Sequence, residues 1–271
     1  MGPRGNNGTS PVILHASEAG TGHPVVLLHG LFGSARNFGA IARTLGEGAR
    51  VIALDLRNHG ASPHAPDMRY AAMAVDVLET LAARDALPAV LIGHSMGGKV
   101  AMRAALDRPD AVAGLVVADI APVPYPPHFR AIVAAMTALP LTPGLTRAAA
   151  DAALTPAVPD PALRAFLLQN LSPGAAPRWR IGLAEIAAEL EDPIGGWDAP
   201  AGARYAGRVL VIAGEHSDYI RPEHRPLFRA LFPAARFVTL RHAGHWLHAD
   251  NPEGFLAVVT AFLHAGRGGD G

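Results

Sequence analysis

The chain has 271 residues, of which half are hydrophobic and 17% are charged, so it can bury a sizeable core. Its 23 basic and 23 acidic residues balance to a formal net charge of zero. This balance excludes a broad basic surface for nucleic acid or for an anionic membrane. The lack of cysteine excludes disulfides, thiolate metal sites and a cysteine nucleophile.

The N-terminal stretch MGPRGNNGTSP has no apolar segment of the kind that secretory signals contain. No apolar run approaches the ~20 residues of a membrane span. We therefore expect a cytoplasmic protein without a membrane span, with flexible termini at 1–11 and 265–271. The sequence does not indicate an oligomeric state.

Short apolar runs alternate with longer helical patterns along most of the chain. Strands are predicted at 24–30, 50–56, 89–93, 114–120, 208–214 and 236–241, and helices at 35–47, 70–87, 96–109 and from about 251. The strands are almost continuously apolar, which is typical of a parallel sheet covered by helices on both faces. The alternation of strand and helix predicts a doubly wound α/β fold.

Residues 121–205 break this rhythm, because they are rich in Pro and Ala and contain no strong strand pattern. We interpret this segment as a helical cap, inserted between the fourth and fifth predicted strands. The core is then a single discontinuous domain of residues 12–120 and 206–264. Catalytic groups in such sheets gather at the carboxyl ends of the strands, which this cap would cover.

Ser95 stands at the centre of Gly93-His94-Ser95-Met96-Gly97, a G-x-S-x-G motif between a predicted strand and a predicted helix. The glycines permit a cramped turn that exposes the hydroxyl, and the helix N-terminus supplies amides and a positive dipole end. These features predict a nucleophilic serine. The alternative is a Gly-flanked serine that only caps the helix.

His29-Gly30-Leu31-Phe32 follows the first predicted strand. In proteins with such a serine turn, the oxyanion donors are the amide after the His-Gly pair and the amide after the nucleophile. We assign these roles to Leu31 and Met96, and we expect Phe32 to line the acyl pocket. The alternative for the first segment is a Gly-rich loop without a ligand.

A serine needs a base within hydrogen-bonding reach. His245 follows the last predicted strand, which gives the chain order serine, acid, histidine. Its neighbours His242 and His248 are interpreted as partly exposed loop residues. His94 and Trp246, which adjoin the nucleophile and the base, are expected to line the substrate pocket together with Phe32.

The chain resembles the α/β-hydrolases and, among them, the YbfF-type esterases and the abhydrolase-domain-eleven proteins. The resemblance rests on HGLFGSARNF (29–38), DLRNHGASPH (55–64), GHSMGGKVAM (93–102), ADIAPVPY (118–125) and AGHWLHAD (243–250). The cap matches only loosely. The resemblance implies a serine hydrolase without a cofactor, acting on esters and in some members on acyl thioesters.

The acid of the triad has two candidates. Asp218 follows the strand before the last, but it lies one residue beyond the usual Gly-x-x-Asp position, which Ser217 occupies. Asp119 ends the strand expected beside the nucleophile strand, and the YbfF-type resemblance also favours it. We therefore prefer Asp119 as the acid of the triad. The alternative for Asp119 is that it only braces the start of the cap, and the alternative for Asp218 is that it only forms an Asx-turn.

Other polar residues receive no catalytic role. Asp55, Arg57 and Ser62 are expected to organise the loop beside the oxyanion loop. Lys99 lies one turn into the nucleophile helix, and its Ser-x-x-x-Lys spacing is not the S-x-x-K of penicillin-binding enzymes, so we assign it no chemistry. No cluster has metal-ligand spacing and no G-x-G-x-x-G opens a helix, so we expect neither metal nor cofactor.

The sequence therefore predicts an enzyme that hydrolyses small-molecule carboxylic esters of small to medium acyl chains through an acyl-enzyme. The alternatives on the same triad are a thioesterase acting on acyl-CoA or another thioester, a perhydrolase and a C–C bond hydrolase. The alternatives outside catalysis are a silent ligand-binding protein of the same fold and a structural or interaction protein. The natural substrate and its enantiomeric preference are not encoded in these motifs.

Overall fold

A computed structural model describes residues 10–126 and 129–266. Its main feature is a seven-stranded sheet with the order β1-β3-β2-β4-β5-β8-β9, in which β1 alone pairs antiparallel. The strands are β1 Ala16–Ala19, β2 Pro24–Leu28, β3 Arg50–Leu54, β4 Ala89–His94, β5 Val112–Ala118, β8 Val209–Gly214 and β9 Ala235–Leu240. The predicted doubly wound, mostly parallel α/β fold is confirmed.

Helices cover both faces of the sheet. Those of the core are α1 Gly39–Gly46, α2 Tyr70–Ala82, α3 Met96–Asp107, α8 Arg225–Leu231, α9 Leu247–Asp250 and α10 Pro252–Ala265, with 3₁₀ turns at Ala35–Phe38, Pro109–Ala111 and Pro222–His224. Alternate residues of β2 enter opposite cores: Val26 and Leu28 pack on one face, and Val25 and Leu27 on the other. Burial on both faces explains why the strands read as continuous apolar runs.

The segment between β5 and β8 contains the helices α4 Arg130–Ala138, α5 Arg147–Leu154, α6 Pro161–Leu168 and α7 Leu183–Glu189, and a π-helix at Leu190–Ile194. A two-residue strand pair, β6 Leu171–Ser172 and β7 Arg178–Trp179, lies between the helices. The helical character agrees with the sequence pattern. The division into a core and a cap stays a prediction, and we keep the name cap for 121–205.

The structure adds one strand to the predicted sheet and moves several element ends. β1 was not predicted, because ASEA is polar and half exposed at the sheet edge. Helix α2 ends at Ala82 rather than at 87, and Asp85 turns the chain with φ +50°. β5 ends at Ala118, so Asp119 lies one residue beyond the strand.

Two further predictions concern the ends of the chain and the membrane. The termini expected to be flexible lie mostly outside the described residues. Of the helices in the described ranges, none combines the length and the apolar character needed to cross a bilayer.

Candidate active site

Ser95 lies in a sharp turn between β4 and α3, with φ 52° and ψ −121°. The turn requires glycine on both sides of the serine. A Cβ atom on Gly93 would lie 2.2 Å from the Gly97 carbonyl oxygen, and one on Gly97 would lie 2.3 Å from the Leu28 carbonyl oxygen. Such approaches are far below van der Waals contact, so the glycines allow the helix to begin against the strands.

The Ser95 hydroxyl does not cap the helix, although Ser95 stands at the N-cap position of α3. Its Oγ instead lies 3.0 Å from Nε2 of His245. The alternative interpretation of Ser95 as an ordinary capping serine is therefore wrong. The hydroxyl is directed towards a base, which is the contact that a serine nucleophile needs.

The other ring nitrogen of His245, Nδ1, lies 2.8 Å from Oδ2 of Asp119. Asp119 is fully buried. The Gly214 amide donates to its Oδ1 at 3.0 Å, and the Ser217 hydroxyl donates to the same Oδ2 that faces His245. A buried carboxylate with these donors fixes the tautomer of the imidazole, with the proton on Nδ1 and the lone pair on Nε2 towards Ser95.

The sheet register brings the acid to the serine. β4 and β5 are parallel neighbours in which His94 pairs with Ala118, so Ser95 and Asp119 both follow the ends of adjacent strands. The Ser95 amide donates to the Ala118 carbonyl at 3.0 Å. Asp119 leaves the strand with φ +52°, which turns its carboxylate towards the loop that carries His245.

Asp218, the second candidate for the acid, is exposed, and no hydrogen bond joins its carboxylate to His245 in the described structure. The residue before it, Ser217, reaches the site instead. Its hydroxyl binds Asp119, a contact that sequence reasoning missed although Ser217 occupies the usual acid position. The structure thus brings together Ser95, His245 and Asp119 and leaves Asp218 outside.

The residues of the predicted oxyanion donors lie beside the same site. Leu31 and Ser95 border common cavities, and Met96 begins α3 immediately after the serine. Across the described residues, no protein acceptor is bound to the amide of either Leu31 or Met96. Two unused amides beside a serine hydroxyl are the arrangement that stabilises an oxyanion.

Two buried histidines hold the loop that carries Leu31. The Leu56 amide donates to Nε2 of His29, whose Nδ1–H donates to the Gly30 carbonyl. The Phe32 amide donates to Nε2 of His59. Both rings accept at Nε2, so both are neutral, and burial lowers the pKa of His29 and lowers that of His59 to about 3. Sequence reasoning missed these roles.

Asp55 also supports the loop that carries Leu31, as the sequence predicted for Asp55 and its neighbours. Its Oδ1 accepts from the Ala35 amide at 2.7 Å and its Oδ2 from the Ala61 amide at 2.9 Å. Ser62 donates to the Asp55 carbonyl at 2.5 Å. Arg57 has a different role. It forms a buried ion pair with Asp76, in which Nη2 of the arginine lies 2.7 Å from Oδ1 of the aspartate.

His94 is a positioning residue as well as a pocket residue. Its Nε2–H donates to the backbone carbonyl of His245 at 2.7 Å, and its ring centroid lies 4.8 Å from that of His245. Because a carbonyl only accepts, Nε2 carries the proton. Burial, followed by the nearby His245 and His248, lowers the pKa of His94 well below 6.5. His94 is thus a neutral support for the loop of the base.

Two small cavities, each of about 40 Å³, meet at Ser95. The first is lined by the predicted pocket residues Phe32, His94 and Trp246, and its other apolar residues are Leu31, Phe38, Phe129, Leu163 and Phe166. Trp246 packs on Phe166 of the cap, with ring centroids 5.9 Å apart. The second cavity lies beyond Met96 and is bounded by Tyr70, Lys99, Tyr125 and Tyr219.

A base aligned between a hydroxyl and a buried carboxylate, with two free amides nearby, can support acyl transfer. Within the described part of the chain, no group of three or more His, Asp or Glu side chains is arranged to hold a metal ion. The fold and the arrangement of these residues are those of an α/β hydrolase. The family profile of the alpha/beta hydrolase fold matches residues 23–252, and the chain belongs to this family.

Individual relatives indicate which kind of α/β hydrolase this chain resembles. The sn-1-specific diacylglycerol lipase ABHD11 of Mus musculus is 43% identical over 88% of this chain and 80% of its own length. Esterase YbfF of Escherichia coli strain K12 is 37% identical over 89% of this chain and 93% of its own length. A solved structure described as a marine microorganism esterase is 36% identical, with a TM-score of 0.89, over 93% of this chain and 99% of that chain.

These relatives agree with the sequence resemblance to YbfF-type esterases and abhydrolase-domain-eleven proteins, which is confirmed. They also confirm the expected class of enzyme, a carboxylesterase-type hydrolase. The comparisons say nothing about which residue plays which part.

Proposed function

We propose that this chain hydrolyses carboxylic esters of small to medium acyl chains, with Ser95 as nucleophile, His245 as general base and acid, and Asp119 as the orienting carboxylate. The observation that carries the proposal is the hydrogen-bonded line from the Ser95 hydroxyl through His245 to a buried Asp119. The two tight cavities that meet at Ser95 favour a small substrate.

The reaction takes two symmetrical steps. His245 accepts the proton of Ser95 as Oγ attacks the ester carbonyl, and the amides of Leu31 and Met96 hold the oxyanion. His245 then gives this proton to the leaving alcohol. Water repeats the sequence on the acyl-enzyme, which releases the acid and restores Ser95. Asp119 stabilises the imidazolium that forms in each step.

Labelling with a fluorophosphonate probe tests the nucleophile. We expect the wild type to be labelled and Ser95→Ala to be unlabelled and inactive on p-nitrophenyl butyrate. Ser17→Ala, which changes an exposed serine of β1, is the matched control. An unlabelled wild type, or equal labelling of Ser95→Ala, would refute the serine mechanism and favour a silent binding protein.

Asparagine substitutions distinguish the two acids. Asp119→Asn removes the charge beside the His245 ring, and loss of the corresponding charge in a serine protease costs about 10⁴ in kcat. We expect a loss of at least hundredfold, and near wild-type turnover for Asp218→Asn. The reverse pattern would place the acid at Asp218.

Thioester, perhydrolase and C–C bond substrates use the same triad, and no contact in this site favours one of them over an ester. A panel with one substrate of each kind, read as kcat/KM, ranks them directly. The cytoplasmic location stays a prediction of the sequence, as does the absence of a nucleic-acid partner.

A further inference from the structure

Lys99 is a buried cation that the mechanism above does not use. It lies one turn after Ser95 on α3, and only 1% of its surface is exposed. Its ammonium donates to the Gly196 carbonyl of the cap at 2.5 Å. It also lies over two aromatic rings, with Nζ 5.2 Å from the centroid of Tyr70 and 4.9 Å from that of Tyr125.

Within the described residues, this cation has no carboxylate counter-ion. Among the described residues, no carboxylate lies within 4.0 Å of Nζ, and the acidic residue nearest to this part of the cap in sequence, Asp198, is paired with Arg103 at 2.6 Å. A buried charge without a partner is unfavourable, and burial lowers the pKa of Lys99 to about 7. An anion placed beside Nζ would relieve that cost.

The second cavity provides the place for such an anion. Lys99 and Ser95 border the same space, which Met96, Ile120 and Phe129 also line. The cavity measures about 40 Å³. At roughly 10–15 Å³ for each water-sized group, it holds about three such groups, which is the number of heavy atoms in a carboxylate. Its remaining walls are mainly apolar and aromatic.

We propose that Lys99 is a specificity-determining residue that selects esters bearing a carboxylate on the part of the substrate that enters this second cavity. The ammonium pairs with the substrate carboxylate while Ser95 attacks the ester carbonyl at the mouth of the same cavity. The aromatic faces of Tyr70 and Tyr125 keep the ammonium in place before the substrate arrives. This inference rests on the proposed esterase function.

A purely structural role is the competing interpretation, since Lys99 binds a cap carbonyl. Arg103, one turn further along α3, provides the matched control. It also contacts the cap, because it donates to the backbone carbonyl of Asp198 at 2.7 Å and pairs with the Asp198 carboxylate. Arg103 does not border the cavity. Arg103→Met therefore removes a cap contact of the same helix without touching the proposed subsite.

The test compares matched anionic and neutral esters. In the acyl arm the pair is p-nitrophenyl hemiglutarate and p-nitrophenyl valerate, and in the alcohol arm it is carboxymethyl acetate and propyl acetate. The measured quantity is the ratio of kcat/KM for the anionic ester to that for the neutral ester. We expect Lys99→Met to lower this ratio at least tenfold in one arm, which identifies the part of the substrate in the cavity, while Arg103→Met leaves the ratio unchanged.

The proposal is overturned if Lys99→Met leaves the ratio unchanged in both arms, or if Arg103→Met lowers it equally. Absence of turnover on every ester, with no fluorophosphonate labelling, would instead refute the proposed function. Turnover of the neutral esters therefore distinguishes failure of the Lys99 proposal from failure of the proposed function.

A pH profile of the wild type keeps the inference testable even if Lys99→Met does not fold. The ratio should fall as pH rises from 6 to 9, because Lys99 loses its proton while the substrate carboxylate stays ionised. Both esters use the same triad, so any pH dependence that the triad gives to both reactions cancels in the ratio. A ratio that does not change with pH contradicts the proposal.

The three phenols around the ammonium do not titrate in this window. Burial raises the pKa of Tyr70, Tyr125 and Tyr219, so these phenols stay neutral. The acidic residues of the adjoining π-helix, Glu191 and Asp192, are exposed, and Glu191 pairs with Arg130.

Discussion

The imidazole of His245 stacks on the phenol ring of Tyr219, with centroids 4.0 Å apart and planes inclined by 19°. Tyr219 belongs to the same loop as Ser217, which binds Asp119. The loop after β8 therefore supports the base from its ring face and the acid from its carboxylate oxygen.

Replacement of Tyr219 tests the ring contact. An aromatic pair contributes about 0.5–1.5 kcal/mol, which corresponds to roughly two- to tenfold in rate. We expect Tyr219→Leu to lower kcat/KM on p-nitrophenyl butyrate by such a factor, and Tyr219→Phe to lose less because it keeps the ring. Equal losses in the two variants would show that the hydroxyl, and not the stack, matters.

The Ser217 hydroxyl is the next contact to remove. A hydrogen bond to a charged group contributes about 1.5–3 kcal/mol, so we expect Ser217→Ala to lower kcat/KM by about 10- to 100-fold. Ser217→Thr keeps a hydroxyl and should recover most of this loss. Wild-type turnover by Ser217→Ala would mean that the Gly214 amide alone is enough to hold Asp119.

The contacts of these residues explain how far the sequence could predict the site. Ser95, His245 and Asp119 follow strand ends, and strand ends can be recognised from apolar runs. The supports Ser217, Tyr219 and His59 act across distances of 98, 26 and 27 residues in the chain, and no local pattern encodes such contacts.

Lys99 is another residue whose surroundings the sequence could not predict. Its spacing from Ser95 predicts that both lie on one face of a helix, but not that the cap closes over that face. Only the fold reveals that the Lys99 side chain is buried beside a cavity and has no carboxylate within 4.0 Å among the described residues. The sequence did not predict the edge strand β1, because its four residues show no alternation of apolar and polar side chains.

Acid should destabilise the fold before its carboxylates titrate. Burial lowers the pKa of His29 and His94, that of His59 to about 3 and that of His248 to about 4. The unfolded chain binds these protons near pH 6.5 and the folded chain does not, so the free energy of unfolding falls as pH falls below 6.5. Urea titrations at pH 7, 6 and 5 measure this fall.

His248→Phe isolates one of these protons. The Nδ1 atom of His248 is buried and has no hydrogen-bond partner among the residues that the structure describes, and the ring packs on Phe38 at 4.6 Å and on Phe255 at 6.2 Å. We expect the variant to fold and to lose less stability on acidification, by up to about 1.4 kcal/mol per pH unit. An unchanged pH slope would show that His248 is protonated in the folded chain.

The serine turn makes a prediction about packing. Gly97→Ala places a methyl group 2.3 Å from the Leu28 carbonyl oxygen. Overpacking of this kind costs about 1–3 kcal/mol, so we expect Tm to fall by roughly 3–10 °C and esterase activity to fall with it. Gly48→Ala is the control, because a Cβ there meets nothing within 4 Å. A normal Tm for Gly97→Ala would mean that the strand and the helix can separate.

Phe32 is bound from two directions. Its amide donates to His59 of the core, and its carbonyl accepts from the side chain of Asn170 at 2.8 Å, in the cap. Leu31, the proposed oxyanion donor, is the preceding residue. One hydrogen bond from the cap therefore holds the peptide next to the proposed oxyanion donor. A change in the cap that breaks this hydrogen bond should alter kcat, and not KM alone.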